Sequence, residues 1–427
     1  DFLHVTWQRT WLWQPPGSAW PNPAGPIESD CSSLALIGPA HSNTPMQPLD
    51  WIDDELDVLK ATDALRTIRI RDVSYRPGFI SIAGQELTNF SSNDYLGIAA
   101  ELKRDGSDQQ WGSGASPLIT GYTSAHKTLE QCFCKFKASE SAMLFSSGFA
   151  ANMGTIPAIV SNGDAVFSDA RNHASIIDGC RLSNADVFVY RHNDIDHLTE
   201  LITSVQARRK LIVTDTLFSM DGDVANLSSL SQIADDQGAM LMIDEAHATG
   251  VYGKNARGLA EEADVESGVH ITVSTFSKAL GSVGGVVTGT SQLIHWLRNK
   301  ARSYVYSTSM PNGVCEMSLA GVEIVQSDSN RRTHLLALRD RLVSRLATDL
   351  LIDENHPSHI VPIRIGANDK TLSLSQQLFK AGFLVAAIRP PTVPDGEAML
   401  RIGLTASHSV EQIDALADVL SIARSQA

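Results

Sequence analysis

At 427 residues, with 43% hydrophobic and 19% charged residues, the chain has the make-up of a globular protein large enough for two lobes. Its formal net charge of −14 argues against nucleic acid or an anionic membrane as the main partner, and no apolar run approaches the ~20 residues of a spanning helix. The five cysteines (Cys31, Cys132, Cys134, Cys180, Cys315) are scattered and odd in number, which suits reduced thiols in a cytoplasmic protein better than a disulfide frame or a metal site.

Residues 1–45 differ from the rest. Trp7, Trp11, Trp13 and Trp20 crowd the first twenty positions, and proline-rich stretches follow. Proline density argues against helix or central strand, so this segment is expected to be a disordered or non-native extension, with Met46 as the natural start. Helical periodicity begins at once after Met46, through Trp51, Ile52, Leu56, Leu59 and Leu65. Residues 46–95 are expected to pack with a small C-terminal domain, and Phe79–Leu87 to form a hairpin.

A large domain is expected over 96–330. Gly112–Gly121 is a glycine-rich polar loop, His126–Phe136 a helix, and Ser141–Ser147 a buried strand running into Gly148-Phe149-Ala-Ala-Asn152. A strand that stops at Ser-Ser-Gly before a helix presents free backbone amides, a natural but unspecific phosphate cradle. Strands at Ala165–Ser168, Val187–Tyr190, Leu211–Thr214 and Met240–Ile243 then alternate with helices at Ala174–Leu182, Ile195–Val205 and Leu227–Gln237. That alternation predicts an α/β fold with a mostly parallel sheet covered by helices on both faces. Helical patterns at Leu293–Arg302 and Gly313–Asp349 follow, and 331–427 reads as a smaller α/β domain.

Functional residues of such sheets gather beyond the carboxyl ends of the strands. His173, Asp215 with Ser219, Asp244 with His247, and Lys278 all stand at such places. Around Lys278, the β-branched run His270–Val273 stops at small hydroxyl residues, then the lysine, then glycines. A lysine at the end of a buried strand is costly unless its amine is paired, deprotonated or used covalently. Such an amine beside a phosphate-binding hydroxyl such as Thr275 suits Schiff-base chemistry. A turn lysine on the surface is the plainer alternative.

Asp244-Glu-Ala-His247 spells a helicase box, but no Gly-x-x-x-x-Gly-Lys-[Ser/Thr] accompanies it and the chain is acidic. A carboxylate closing a buried strand can instead hold a pyridine nitrogen protonated, although an N-cap for the next helix would also use an aspartate there.

Six blocks carry a resemblance from about Met46 to the C-terminus: Phe90-Ser-Ser-Asn-Asp-Tyr-Leu-Gly97, Phe145-Ser-Ser-Gly-Phe-Ala-Ala-Asn152, Phe218-Ser-Met-Asp-Gly-Asp223, Asp244-Glu-Ala-His-Ala-Thr-Gly250, Thr275-Phe-Ser-Lys278 and Tyr306-Ser-Thr-Ser-Met-Pro311. With them the chain resembles the α-oxoamine synthases, fold-type I enzymes that use pyridoxal 5′-phosphate. Ile388-Arg-Pro-Pro-Thr-Val-Pro394 resembles the 8-amino-7-oxononanoate synthase branch of that family.

The resemblance implies Lys278 as the lysine that carries the cofactor and as the acid/base at the substrate α-carbon. It implies His173 stacked on the cofactor ring, Asp244 on the ring nitrogen, and His247 and Ser219 near the ring oxygen. Gly148, Phe149 and Thr275 would hold the phosphate, with Ser307 and Thr308 reaching across from the second copy of a homodimer. Arg401 would bind the substrate carboxylate, and Arg66 and Thr392 would contact substrate. No metal is implied.

The implied reaction joins L-alanine to pimeloyl-CoA, or the carrier-protein thioester, with loss of CO2. Two departures stand out: Gly97–Gly112 is shorter than the family pattern, and Met399 replaces an arginine often found two residues before Arg401. A sister synthase, an aminotransferase and a non-catalytic partner subunit are the rivals. The last would typically lack the lysine. Arg298, Lys300 and Arg302 form a basic cluster that suits either a solvated helix face or an acidic carrier.

Overall fold

The computed structural model describes residues 47–72, 76–102, 112–348 and 352–425. The expectations for 1–46, and most of the short Gly97–Gly112 stretch, lie outside them. The described residues divide into two units at Asp54.

In chain order the elements are α1 (Trp51–Ala61), β1 (Phe79–Ile82), β2 (Gln85–Asn89), α2 (Ser124–Phe136), β3 (Ser141–Phe145), α3 (Gly148–Ile159), β4 (Ala165–Asp169), α4 (Ala174–Leu182), β5 (Asp186–Tyr190), α5 (Ile195–Ser204) and β6 (Lys210–Asp215). Then come α6 (Leu227–Asp236), β7 (Met240–Asp244), α7 (Leu259–Glu262), β8 (Ile271–Thr275), β9 (Gly285–Gly289), α8 (Ser291–Lys300), α9 (Arg302–Val305), α10 (Asn312–Ser327) and α11 (Asn330–Thr348). The chain closes with β10 (Ile360–Gly366), α12 (Asn368–Lys380), β11 (Phe383–Leu384), β12 (Ala386–Ile388), β13 (Ala398–Gly403) and α13 (Val410–Ser425).

Seven strands form the central sheet in the order β3-β9-β8-β7-β6-β4-β5, all parallel except β9. The period-2 alternation of the buried strands sorts side chains to two faces. Leu211, Val213, Met242 and Val273 pack on one side with Ala151 and Ile156 of α3 and Ile294 of α8. Ile212, Leu241 and Ile243 face the other side, with Leu129 and Phe133 of α2, Leu198 of α5 and Leu230 of α6. Each fully buried leucine or phenylalanine stabilises by about 1.5–3 kcal/mol, so the two covered faces fix which edge of the sheet carries the loops.

Strand β9 was not anticipated, because two glycines bracket only three β-branched residues. Its closeness to the next layer explains Gly285: a Cβ there would stand 2.3 Å from the Ser147 carbonyl oxygen. The long helical pattern over Gly313–Asp349 is two helices, α10 and α11, separated at Asp328, whose carboxylate accepts from the Asn330 amide at 3.1 Å.

Two smaller sheets accompany the large one: β10-β13-β12, antiparallel, and β1-β2-β11, in which β11 runs parallel to β2. The pairing of Phe383 with Thr88 joins the early hairpin to the C-terminal segment. Cys132, Cys134, Cys180 and Cys315 are free thiols. No helix among the described residues is long and apolar enough to cross a membrane.

Candidate active site

Strands β4, β6, β7 and β8 run parallel, so their carboxyl ends bring the 170–173 loop, Asp215, Asp244 and Thr275 to one edge. Lys278, three residues past β8, is half-buried. Burial lowers its amine to about 8, against the opposing pull of Asp244 and Asp215, and Arg401 lowers it further. The Lys278 Nζ lies 2.7 Å from His247 Nε2. Burial holds His247 well below the ordinary histidine range, with Lys278 and Arg401 pushing the same way, so the ring is neutral at pH 7.

From His247 a hydrogen-bond chain crosses to the carboxylate-binding candidate. His247 Nδ1 lies 2.6 Å from the Tyr95 hydroxyl, which lies 3.1 Å from Asn93 Oδ1. Arg401 Nη2 donates to Asn93 Oδ1 at 3.2 Å and to the Tyr95 oxygen at 3.4 Å, and Arg401 Nε donates to the Ser219 carbonyl at 2.6 Å. One proton assignment satisfies every contact: Lys278 donates to Nε2, Nδ1–H to Tyr95, and the Tyr95 hydroxyl to Asn93. Burial raises the Tyr95 hydroxyl above its ordinary range, keeping it protonated.

Asp244 ends β7 with its carboxylate held from two sides, by Asn152 Nδ2 at 2.6 Å and the Ala246 amide at 2.8 Å. Asn152 also donates to Ser175 Oγ at 2.9 Å, while its own Oδ1 is buried without a partner. His173 is the N-cap of α4: its Nδ1 accepts from the Ser175 amide at 3.2 Å and lies 2.7 Å from Ser175 Oγ. Its own amide donates to Asp215 at 2.7 Å. Burial lowers the His173 imidazole, partly offset by Asp244, and burial followed by repulsion from Asp244 raises Asp215 well above the carboxylate range. Phe149 meets the His173 ring edge-on, with centroids 6.1 Å apart.

Helix α3 begins at Gly148 with Ser147 as N-cap, its hydroxyl accepting from the Ala150 amide at 3.0 Å. The first amides of a helix have no intrahelical acceptor, so Gly148 and Phe149 offer donors. A Cβ on Gly148 would enter the space in front of Thr275, 3.6 Å from its Cβ. Thr275 Oγ1 lies 2.7 Å from Ser277 Oγ and donates to the Gly284 carbonyl at 2.7 Å.

Lys278, His247, Asp244, His173, Thr275, Gly148, Phe149, Arg401 and the Ser219 backbone thus share the edge of the sheet. The other expected residues lie apart from this cluster. Ser307 and Thr308 border a cleft beside Ser146 and Tyr122, with no hydrogen bond to Lys278, Thr275 or Asp244 among the described residues. Arg66 Nη2 donates to Thr392 Oγ1 at 3.0 Å, so those two substrate candidates meet each other. Met399 is fully buried in β13. Of the basic cluster, Arg298 is occupied by the buried Glu130 at 2.9 Å, Lys300 lies over the Trp296 ring and Arg302 over Tyr306.

Reasoning from the sequence assigned no role to Tyr95, Asn93, Asn152 or Ser175. Asn93 and Tyr95 lie within Phe90–Gly97, and Asn152 closes Phe145–Asn152. The available signal was a poor helix former among alanines at Asn152 and a fully buried tyrosine in a turn-rich block.

The family model for aminotransferase class I and II matches residues 85–420. An 8-amino-7-oxononanoate synthase of Anaeromyxobacter dehalogenans is 43% identical over 382 residues, 87% of this chain and 96% of its own length. Among solved structures, a serine palmitoyltransferase from S. paucimobilis with bound PLP is similar at a TM-score of 0.82 and 27% identity, over 88% of this chain and 98% of that one. An 8-amino-7-oxononanoate synthase from Francisella tularensis is similar at 0.67 and 27%, over 80% and 98%. The chain therefore belongs to the aminotransferase class I and II family and, within it, to the 8-amino-7-oxononanoate synthases.

Proposed function

We propose that the chain condenses L-alanine with a pimeloyl thioester, on CoA or a carrier protein, with pyridoxal 5′-phosphate as cofactor. The products are 8-amino-7-oxononanoate, CO2 and the free thiol, a step in biotin biosynthesis. The 43% identity running along 96% of the Anaeromyxobacter synthase carries the substrate assignment.

The residues present fit the cofactor. The cradle between the start of α3 and Thr275 is open because position 148 has no Cβ. Lys278 combines burial with an amine lowered to about 8. Gly148, Phe149 and Thr275 would hold the phosphate, Asp244 the ring nitrogen, His173 the ring face, and Ser219 and His247 the ring-oxygen edge. When bound, pyridoxal phosphate supplies an electron sink for negative charge at the substrate α-carbon.

The rest is the work of this chain's own side chains. Arg401 binds the alanine carboxylate, its planar fork already fixed by Ser219, Asn93 and Tyr95. The Lys278 amine takes the proton from the alanine α-carbon and returns one to that carbon after CO2 leaves. Neutral His247 accepts from Lys278 at 2.7 Å and so aims the amine without adding a second charge. Arg66 and Thr392 contact the acyl donor. Residues 96–330 serve as the cofactor-binding lobe, and 331–427 with 46–95 as the smaller lobe. In a homodimer with shared sites, Ser307 and Thr308 complete the neighbour's phosphate site.

The test supplies purified holoenzyme with L-alanine and pimeloyl-CoA. Equimolar CO2 and 8-amino-7-oxononanoate are expected. Amino transfer to an oxo acid without CO2, or a preference for glycine or L-serine with another acyl-CoA, would overturn the reading.

A further inference from the structure

The block Phe218–Asp223 carries more than Ser219. Its backbone folds back on itself: the Phe218 amide donates to the Asp223 carbonyl at 3.0 Å, the Gly222 amide to the Phe218 carbonyl at 2.9 Å, and the Ala225 amide to the Thr216 carbonyl at 3.0 Å. Gly222 takes φ +67°, and a Cβ there would stand 2.0 Å from the Ile360 carbonyl oxygen at the start of β10. The turn therefore lies against the backbone of the C-terminal sheet.

Both aspartates of the turn are engaged. Asp221, nearly buried, accepts from Arg171 Nη1 at 2.8 and 2.9 Å and from Arg364 Nη2 at 2.6 Å. Arg171 Nη2 also reaches Glu397 at 2.9 Å. Asp223 meets His192 Nε2 at 2.7 Å and Asn193 Nδ2 at 3.0 Å. Arg171 stands two residues before His173, Arg364 lies on β10, and Glu397 immediately precedes β13, which carries Arg401. Two residues before Asp221, the turn presents the Ser219 carbonyl to Arg401 Nε at 2.6 Å.

We propose that Asp221 is a positioning residue of the carboxylate subsite: by joining Arg171 to Arg364 it sets the turn so that the Ser219 carbonyl holds the Arg401 guanidinium in place. The inference rests on the reading of Arg401 as the group that binds the alanine carboxylate. Asp221 accepts from Arg171 and Arg364 and not from Lys278, His247 or Arg401, so its influence runs through backbone placement. Asp221→Asn keeps the shape and removes the charge that two guanidinium groups share. Arg401 then loses its fixed acceptor, and affinity for the carboxylate falls while proton transfer at Lys278 is spared.

The test is a double-mutant cycle on holoenzyme, reading the dissociation constant of L-alanine by visible absorbance titration, with KM for pimeloyl-CoA and kcat alongside. Asp221→Asn is expected to weaken alanine binding about tenfold while kcat changes less than about threefold and KM for pimeloyl-CoA holds. In an Arg401→Lys background, adding Asp221→Asn is expected to weaken binding no further. Additive losses, or a loss of kcat and thermal stability with alanine binding intact, would overturn the proposal. Should Arg401→Lys alone leave alanine binding unchanged, the Arg401 reading falls instead. Arg364→Gln, at a half-exposed position, is the second variant in case Asp221→Asn does not fold, with about a threefold weakening expected. Unchanged binding in Arg364→Gln also overturns the proposal.

Discussion

Lys278 makes a quantitative demand on pH. An amine lowered to about 8 is neutral in about one molecule in eleven at pH 7, whereas a lysine at its ordinary 10.5 is neutral in about one in three thousand. Burial thus makes the nucleophilic form about 300-fold more abundant at neutral pH. Uptake of pyridoxal phosphate by cofactor-free protein reads that fraction directly, without turnover. Stopped-flow absorbance across pH 6–10, in buffers free of primary amines, should show a rate that rises with pH and levels off above an inflection near 8. Asp244 is the stronger of the two carboxylates that raise the Lys278 amine, so Asp244→Asn should move the inflection below 8. A rate still climbing at pH 10, or an inflection indifferent to Asp244, would refute the claim that this environment sets the amine.

Three further outcomes follow from the same contacts. Asp244→Asn removes the carboxylate that Asn152 and the Ala246 amide hold, and should lower kcat by about 10²–10³-fold with the melting temperature nearly unchanged, measured by product formation and calorimetry. His192 bridges Asp169 at 2.8 Å and Asp223 at 2.7 Å; burial opposes its charge, but the two carboxylates outweigh burial and raise it to about 9. Because the folded value lies above the ordinary 6.5, this stabilisation is complete below about pH 6.5 and lost as pH rises through about 9, so the wild-type melting temperature should fall across that window and His192→Gln should flatten the fall. Gly222→Ala combines a left-handed backbone with a Cβ forced onto the Ile360 carbonyl, and should cost about 2–4 kcal/mol in a urea titration; a neutral substitution would mean the turn is free to move off β10.

What the sequence makes legible is what a residue does through its own neighbours in the chain. Strands β4, β6, β7 and β8 are each a short, mostly apolar run ending in a small hydroxyl or acidic residue, so the pattern and the stop are both local. Asp244 and Lys278 stand out because each sets a charge at the end of a buried run, although an N-cap or a turn lysine would read the same way locally. Strand β9 has too few residues between its glycines to show a period, and it exists because β3 and β8 pair with it from either side. Tyr95 is legible as a large residue in a turn, but its contact with His247 spans 152 positions of sequence. Arg171 and Asp221 are 50 residues apart, and Arg364 and Asp221 are 143. Neither residue of such a pair looks unusual where it stands, since a surface arginine or a turn aspartate is the common case. The reacting groups can therefore be picked out one by one at the strand ends, whereas the polar groups that aim them come together only when β10 and β13 lie beside the Phe218–Asp223 turn. Substitutions in this outer set should disturb substrate affinity before they disturb proton transfer, because they move Arg401 and leave Lys278 and His247 in contact.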